Sequence, residues 1–117
     1  MDFVGRSRES DGQVDYSISR KSHDFTTCTF TVNGRISLNE SSNMEDAINE
    51  AIGQGFTRIN LDMKNVSFLS SVGIRVLLAK YKELRSKSRH GRLKIKNPSE
   101  NVRNVIGAIA LDEMLLK

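Results

Sequence analysis

The stretch VSFLSSVGIRVLLAKYKEL, Val66 to Leu84, changes its pattern at two adjacent serines, Ser70 and Ser71. Before the serines the chain has the pattern of a strand. After them apolar residues recur at the spacing i, i+3, i+4, i+7 and i+10, which predicts an amphipathic helix. These residues are Ile74, Leu77, Leu78, Tyr81 and Leu84. We therefore predict that a strand ends and a helix begins at the serines, with Gly73 in the first helical turn.

Strand-like segments lie on both sides of this junction. Alternation or enrichment in β-branched and aromatic residues predicts strands at VDYSISR (14–20), FTTCTFTV (25–32), FTRINLDM (56–63) and GRLKIKN (91–97). The first two segments are close enough in sequence to form a hairpin around KSHD (21–24).

Two further helices are predicted from apolar stripes at helical spacing. The first stripe is Met44, Ala47, Ile48, Ala51 and Ile52, and the second is Val102, Val105, Ile106 and Ile109. Ser42 and Glu45 match a capping box, which predicts that the first of these helices starts there. It should end near Gly53–Gly55. The second follows Pro98 and precedes an apolar turn over residues 111–116.

The order strand, strand, helix, strand, helix, strand, helix predicts an α/β fold with a small mixed four-stranded sheet covered by three to four helices. A chain of 117 residues forms one ordinary domain. Residues 1–12 mix small and charged residues without periodicity, so we predict a flexible tail there and a single domain over residues 13–117.

Several classes of protein and site are not expected. Cys28 is the single cysteine, and the two histidines are not in a metal-ligand spacing, so we predict no disulfide and no metal site. No Ser/His/Asp constellation, paired carboxylates or phosphate-binding glycine loop appears, so we expect neither an enzyme nor a cofactor. No apolar run reaches roughly 20 residues, which predicts a cytoplasmic protein without membrane insertion.

Basic residues concentrate in one segment. Between Arg75 and Arg103 there are ten basic residues and two acidic ones, a local excess of +8. Such a segment is either a solvated face or a nucleic-acid-binding patch. Tyr81 is its only aromatic residue, so base stacking has little support, and direct binding to nucleic acid is not expected.

The serines at the junction have two physical roles open to them. The first turn of a helix has unpaired N–H groups and the positive end of the helix dipole. Ser70 or Ser71 can accept one of these hydrogen bonds as an N-cap, which contributes about 1 kcal/mol. The same position also favours a phosphate, which adds about −1.5 to −2 of charge and can change the binding of a partner.

At this point the sequence resembles a known family. The segment INLDMKNVSFLSSVGIRVLLAKYKELR, followed by GRLKIKNPSENVRNVIGAIALDEML, is similar to the second half of a STAS domain. This is the fold of bacterial anti-sigma factor antagonists. FTVNGRISL resembles the family's second strand and the turn after it. The resemblance covers nearly all of the chain from Val14 onward and implies a single STAS-like domain.

The resemblance implies a phosphorylation site. In the phosphorylated antagonists that this chain resembles, the loop reads Asp-Ser-Ser-Gly, and the serine two residues before the glycine is phosphorylated. Counting back from Gly73 places that role on Ser71, with Ser70 where the family has aspartate. Val72 stands where the family has its second serine, and Ser37 stands at another acidic position. Ser70 is then a competing phosphoacceptor.

The function implied by the resemblance is that of an anti-sigma factor antagonist. Such a protein binds an anti-sigma factor that is also a serine kinase with an ATPase fold, and so releases a sigma factor. Phosphorylation of Ser71 would end this binding, and a phosphatase would restore it. The implied partner-binding residues are Ser37, Ser70, Ser71, Val72, Gly73 and Arg75.

Two alternatives stay open. The first is a non-phosphorylated STAS subunit of a membrane transport complex for lipids or anions, which the missing acidic positions favour. The second is nucleic-acid binding through the segment from Arg75 to Arg103.

Overall fold

The described part of the chain forms one mixed sheet with helices packed against it. The structure is a computed structural model and describes residues 2–8 and 14–108. Its elements are β1 (Asp2–Arg8), β2 (Val14–Ser22), β3 (Thr27–Ile36), α1 (Leu38–Gly53), β4 (Arg58–Leu69), α2 (Ser71–Lys87), β5 (Arg92–Lys96) and α3 (Glu100–Ala108). The strand order is β1-β2-β3-β4-β5. The first three strands pair antiparallel, and β3, β4 and β5 pair parallel. The predicted α/β fold is confirmed.

Strand β1 extends the sheet beyond the four predicted strands. Residues 1–12 are predicted from the sequence to be a flexible tail, whereas Asp2–Arg8 pair antiparallel with β2. Backbone hydrogen bonds form such a pair, and they require no alternation of side chains. They also cover the edge of β2, whose N–H and C=O groups would otherwise be unpaired. The prediction of a flexible tail is therefore corrected for residues 2–8.

One hydrophobic core lies between the sheet and the helices. Alternate residues of each inner strand are buried, as the sequence pattern predicts, and they meet the apolar stripes of the helices in a single cluster. Its strand members include Ile18, Phe30, Val32, Ile59, Leu61, Met63, Leu93 and Ile95, and its helix members include Met44, Ile48, Leu77, Leu84, Val102 and Ile106. Because these strand residues share one face of the sheet, the opposite face carries the alternate, polar residues.

Helix α1 begins five residues earlier than the capping-box pattern predicts. Its N-cap is Ser37, and Ser42 is an exposed residue inside the helix, so the predicted capping box is wrong. The Ser37 side chain makes no capping hydrogen bond. Instead, the Ser41 hydroxyl donates a hydrogen bond to the Ser37 carbonyl at 2.6 Å. The end of the helix at Gly53 agrees with the prediction.

The third predicted helix extends partly beyond the described residues. Helix α3 runs from Glu100 to Ala108, with Val102 and Ile106 in the core. Its first turn is capped by Ser99, whose hydroxyl accepts a hydrogen bond from the Val102 amide at 3.2 Å. The predicted apolar turn over 111–116 lies outside the described residues. None of the described helices is long and apolar enough to cross a bilayer.

Candidate functional site

The candidate site forms where two helices begin side by side. Strands β3 and β4 are parallel neighbours, and Ile36 pairs with Leu69 near their carboxyl ends. The residues that follow, Ser37 and Ser70, are the N-caps of α1 and α2. The Ser70 amide donates a hydrogen bond to the Ile36 carbonyl at 3.0 Å, which joins the two junctions. We call residues 35–38 and 68–75 the serine edge.

Ser70 is a capping residue with both sides of its hydroxyl in use. Its Oγ accepts a hydrogen bond from the Gly73 amide at 3.1 Å and lies 3.3 Å from the Ser41 Oγ. The Ser41 hydrogen is already donated to the carbonyl of Ser37. The hydrogen between the two hydroxyls must therefore come from Ser70. Ser70 is half-buried and fixed by these contacts.

Ser71 differs from its neighbour in every one of these respects. It is the first residue of α2 and is exposed to solvent. Within the described part of the chain, its hydroxyl makes no hydrogen bond. The first turn of α2 contains no acidic residue, so the positive end of the helix dipole is not neutralised there. A phosphate on Ser71 would lie at a favourable electrostatic position.

Gly73 sets the distance between the two helices. It is buried, and a Cβ added at this position would lie 2.7 Å from the Leu69 Cδ1, 3.1 Å from the Ser41 Oγ and 3.4 Å from the Ile36 Cγ2. A side chain at this position would therefore prevent the close approach of the first turn of α2 to Leu69 and Ser41. Because Gly73 is buried, it offers little surface to a partner, and its contribution to the site is to the spacing of α1 and α2.

The other predicted site residues lie on the same edge. Val72 is half-buried in the first turn of α2, and Arg75 is exposed one turn after Ser71. Ser37 is half-buried at the start of α1. The structure thus brings together all six residues that the resemblance implies.

Sequence reasoning missed three residues of the serine edge. The side chains of Leu38 and Phe68 are 65% and 39% exposed, which is unusual for large apolar residues. The guanidinium of Arg35 lies 4.7 Å from the centre of the Phe68 ring, in a cation–π contact. Leu38 stands alone in a polar segment, and Phe68 departs from the alternation of its strand. These two departures from the sequence pattern could have indicated that both apolar side chains are exposed.

The basic segment from Arg75 to Arg103 does not form one patch. Lys80 is buried in α2 and pairs with Glu83 at 2.9 Å and, more distantly, with Glu45 at 3.9 Å. Arg85 and Lys87 lie in the last turn of α2, where cations complement the helix dipole. The basic residues of β5 are on the other face of the sheet, because Leu93 and Ile95 occupy the core side.

Chemically reactive groups are sparse in this part of the molecule. Cys28 is fully buried in β3, and burial raises the pKa of its thiol to about 11. Among residues 16–108, no group of three histidine, cysteine, aspartate or glutamate side chains lies close enough to hold a metal ion.

Comparison with known proteins gives one family and several similar folds. The sequence model of the STAS domain matches residues 17–117. An anti-sigma factor antagonist from Mycobacterium paratuberculosis is similar with a TM-score of 0.76 and 22% identity, over 93% of this chain and 87% of that chain. No curated protein matches.

Two structures of the anti-sigma factor antagonist SpoIIAA are also similar. Its unphosphorylated form gives a TM-score of 0.74 at 24% identity, covering 85% of each chain. The phosphorylated form, described as a Bacillus cell fate determinant, gives a TM-score of 0.68 at 24% identity, over 85% of this chain and 88% of that chain. At these identities the likeness establishes the fold.

Proposed function

The chain belongs to the STAS domain family, and we propose that it is an anti-sigma factor antagonist. It binds an anti-sigma factor through the serine edge and thereby releases a sigma factor. Phosphorylation of Ser71 ends this binding. The observation that carries the proposal is the contrast between the two serines, because Ser70 holds the helix start together while Ser71 presents an exposed hydroxyl without a partner in the described structure.

The exposed apolar residues of the serine edge supply the binding energy. Leu38 and Phe68 can each bury a large side chain against a partner, and such buried anchors dominate protein interfaces. Arg35 holds the Phe68 ring in place, which lowers the entropy lost on binding. The exposed guanidinium of Arg75 adds a positive charge that favours an acidic rim on the partner.

Phosphorylation acts on this surface by charge. A phosphate on Ser71 adds about −1.5 to −2 of charge beside the apolar anchors. Docking would then require the phosphate to lose its water. A partner surface that accommodates the unmodified hydroxyl has no group to compensate the charge, so binding is weakened. The start of α2 and Arg75, four residues further along the helix, stabilise the phosphate in the free protein. Both effects favour dissociation.

The partner is a serine kinase with an ATPase fold that also acts as the anti-sigma factor. The exposed position of Ser71 suits transfer of a phosphoryl group from ATP bound to that kinase, and it suits removal of the phosphate by a phosphatase. In this scheme the protein is a cytoplasmic substrate and binding module, and it needs neither a cofactor nor catalytic residues of its own.

Phosphosite mapping tests this proposal. The full chain is incubated with each purified ATPase-fold anti-sigma kinase of its own genome and with MgATP, and phosphopeptides are identified by mass spectrometry. We expect label on Ser71, loss of label in Ser71→Ala, and retained label in Ser70→Thr, which keeps a capping hydroxyl. Label that survives Ser71→Ala, or that is confined to residue 70, contradicts the assignment.

A transport subunit is the second candidate, because Ser37 and Ser70 stand at positions where the phosphorylated antagonists have carboxylates. Such a subunit would bind a transporter ATPase or permease through the same edge without a phosphorylation switch. Affinity purification with the wild-type chain and with Leu38→Ser distinguishes the candidates. Capture of a transporter ATPase that depends on Leu38, with no anti-sigma kinase, would replace the first proposal.

A further inference from the structure

A group of five cations lies near the β2–β3 turn, on the face of the sheet that is turned away from the core. The register aligns Arg58 of β4 with Arg92 of β5, and Asn60 with Lys94. Their neighbours along each strand, such as Ile59 and Leu93, belong to the core, so these residues point to the opposite side. The five cations are Lys21, Arg58, Arg92, Lys94 and Lys96. We call this set the basic face.

The charge of the basic face is not compensated locally. In the same rows, Asp62 is the one carboxylate among the described side chains, and none of the five cations forms an ion pair with a carboxylate there. The like charge of Lys94, burial and the like charge of Arg92 lower the pKa of Lys96, as expected for cations on neighbouring positions of one sheet face. An anionic surface placed against this face would relieve that repulsion.

One helix on the opposite side of the sheet is acidic. Helix α1 carries four acidic residues, Glu40, Glu45, Asp46 and Glu50, and no basic ones. It packs on the core side of the sheet, through Met44 and Ile48. Helix α2, on the same side of the sheet, carries five basic residues and one acidic residue, so the two helices together have no net charge. The basic face is net positive, and a negatively charged plane is therefore attracted more strongly to it than to the helix side.

An exposed aromatic side chain stands at the end of this face. Phe25 is 94% exposed, the largest exposure among the described large apolar residues. It lies in the β2–β3 turn, where the Asp24 carboxylate accepts hydrogen bonds from the amides of Thr26 and Thr27, both at 2.8 Å. The Thr26 carbonyl in turn accepts the amide of Arg58 at 2.9 Å, so the turn is attached to the strand that bears a cation of the basic face.

We propose that the basic face and Phe25 together dock the protein on an anionic phospholipid surface. The cations contact headgroup phosphates, and the Phe25 ring enters the interfacial layer, so no segment crosses the bilayer. A rigid turn that displays one aromatic side chain beside several cations fits the boundary between headgroups and acyl chains. The basic face has one aromatic side chain, Phe25, at its end, and therefore offers no series of aromatic side chains on which successive bases of single-stranded nucleic acid could stack. Its cations also lie on a broad sheet surface instead of a cleft.

This docking is independent of the proposed function. Phe25 lies two residues before the start of β3, whereas the serine edge begins at Arg35 near the end of that strand, so residues 27–34 of β3 separate them. A partner could therefore reach Ser71 while the basic face contacts lipid. The two proposals fail separately, because lipid binding is measured without any anti-sigma factor.

Vesicle co-sedimentation of the full chain tests the proposal. We expect binding to vesicles that contain phosphatidylserine, little binding to pure phosphatidylcholine, and weakening with added salt. Each cation removed should weaken binding about fivefold, so Lys94→Gln/Lys96→Gln should lose roughly 25-fold. Phe25→Ser, which removes no buried contact, should lose roughly tenfold.

Matched controls separate local from overall charge. Lys82→Gln/Lys87→Gln removes the same charge from exposed positions of α2, and Leu38→Ser removes an exposed apolar residue of the serine edge. Both should bind vesicles as the wild type does. Absence of binding to phosphatidylserine vesicles, equal binding to phosphatidylcholine, or an equal loss in the α2 double variant overturns the proposal. So does selective binding of duplex DNA or polyglutamate in place of vesicles.

Discussion

Replacing the two serines one at a time separates capping from signalling. Ser70→Ala removes the oxygen that accepts the Gly73 amide at 3.1 Å and the hydroxyl that contacts Ser41 at 3.3 Å. Loss of an N-cap costs about 1 kcal/mol, and a buried amide left without a partner adds to it, so we expect about 1.5 kcal/mol of destabilisation. Ser71→Ala removes an exposed hydroxyl and should change stability by less than about 0.5 kcal/mol.

Urea denaturation measures this difference. The chain has no tryptophan, so the helical circular dichroism signal is the natural probe. With a slope of about 1.5 kcal/mol per molar urea, Ser70→Ala should lower the midpoint by roughly 1 M, and Ser71→Ala should leave it nearly unchanged. Ser70→Thr serves as the capping control and should recover most of the loss. Equal midpoints for the two alanine variants would refute the assignment of Ser70 as the cap.

Three further predictions concern the surrounding structure. Gly73→Ala should destabilise the fold by about 1–2 kcal/mol because the new Cβ would clash with the Leu69 side chain. Gly107→Ala, where a Cβ has open space, should stabilise the fold by up to about 1 kcal/mol. Equal urea midpoints for the two variants would contradict this. Hydrogen bonds, first that from the Thr26 amide, lower the pKa of Asp24. The stabilising effect of its carboxylate is therefore present at neutral pH and is lost as the pH falls through the folded-state pKa. The melting temperatures of wild type and Asp24→Ala should converge in acid, and a constant difference would contradict this. Buried Cys28, whose pKa is raised to about 11, should react with a thiol reagent only after denaturation, and rapid native labelling would contradict its core position.

Most of the fold follows from two sequence periods. Alternation placed Ile59 and Leu61 on one side of a strand, and the helical stripe placed Leu77 and Leu84 on one side of α2, and both sets are in the core. Strand β1 has no such period, because its place in the sheet depends on backbone pairing with β2. The start of α1 was misplaced for a related reason. Its first turn contains an exposed Leu38 and polar residues, so the apolar stripe begins only at Met44.

The candidate site was predictable in position but not in detail. The change of period at Ser70 and Ser71 located the helix start, and the parallel strands brought Ser37 beside it. Which serine caps the helix depends on the distances from its hydroxyl to Gly73 and to Ser41. Ser41 lies 29 positions from Ser70 in the sequence. A contact between residues so far apart cannot be predicted from the local sequence pattern. The exposure of an apolar side chain is equally a property of the assembled surface.

The central claim is that a phosphate on Ser71 controls binding at the serine edge. The direct measurement is the affinity of the cognate anti-sigma kinase, by isothermal titration calorimetry, for the unmodified chain and for the chain phosphorylated at residue 71. We expect phosphorylation to weaken binding at least about tenfold, which corresponds to about 1.4 kcal/mol, while Ser71→Ala binds like the unmodified protein and is insensitive to the kinase reaction. Equal affinity for the phosphorylated and unmodified chains would contradict the account.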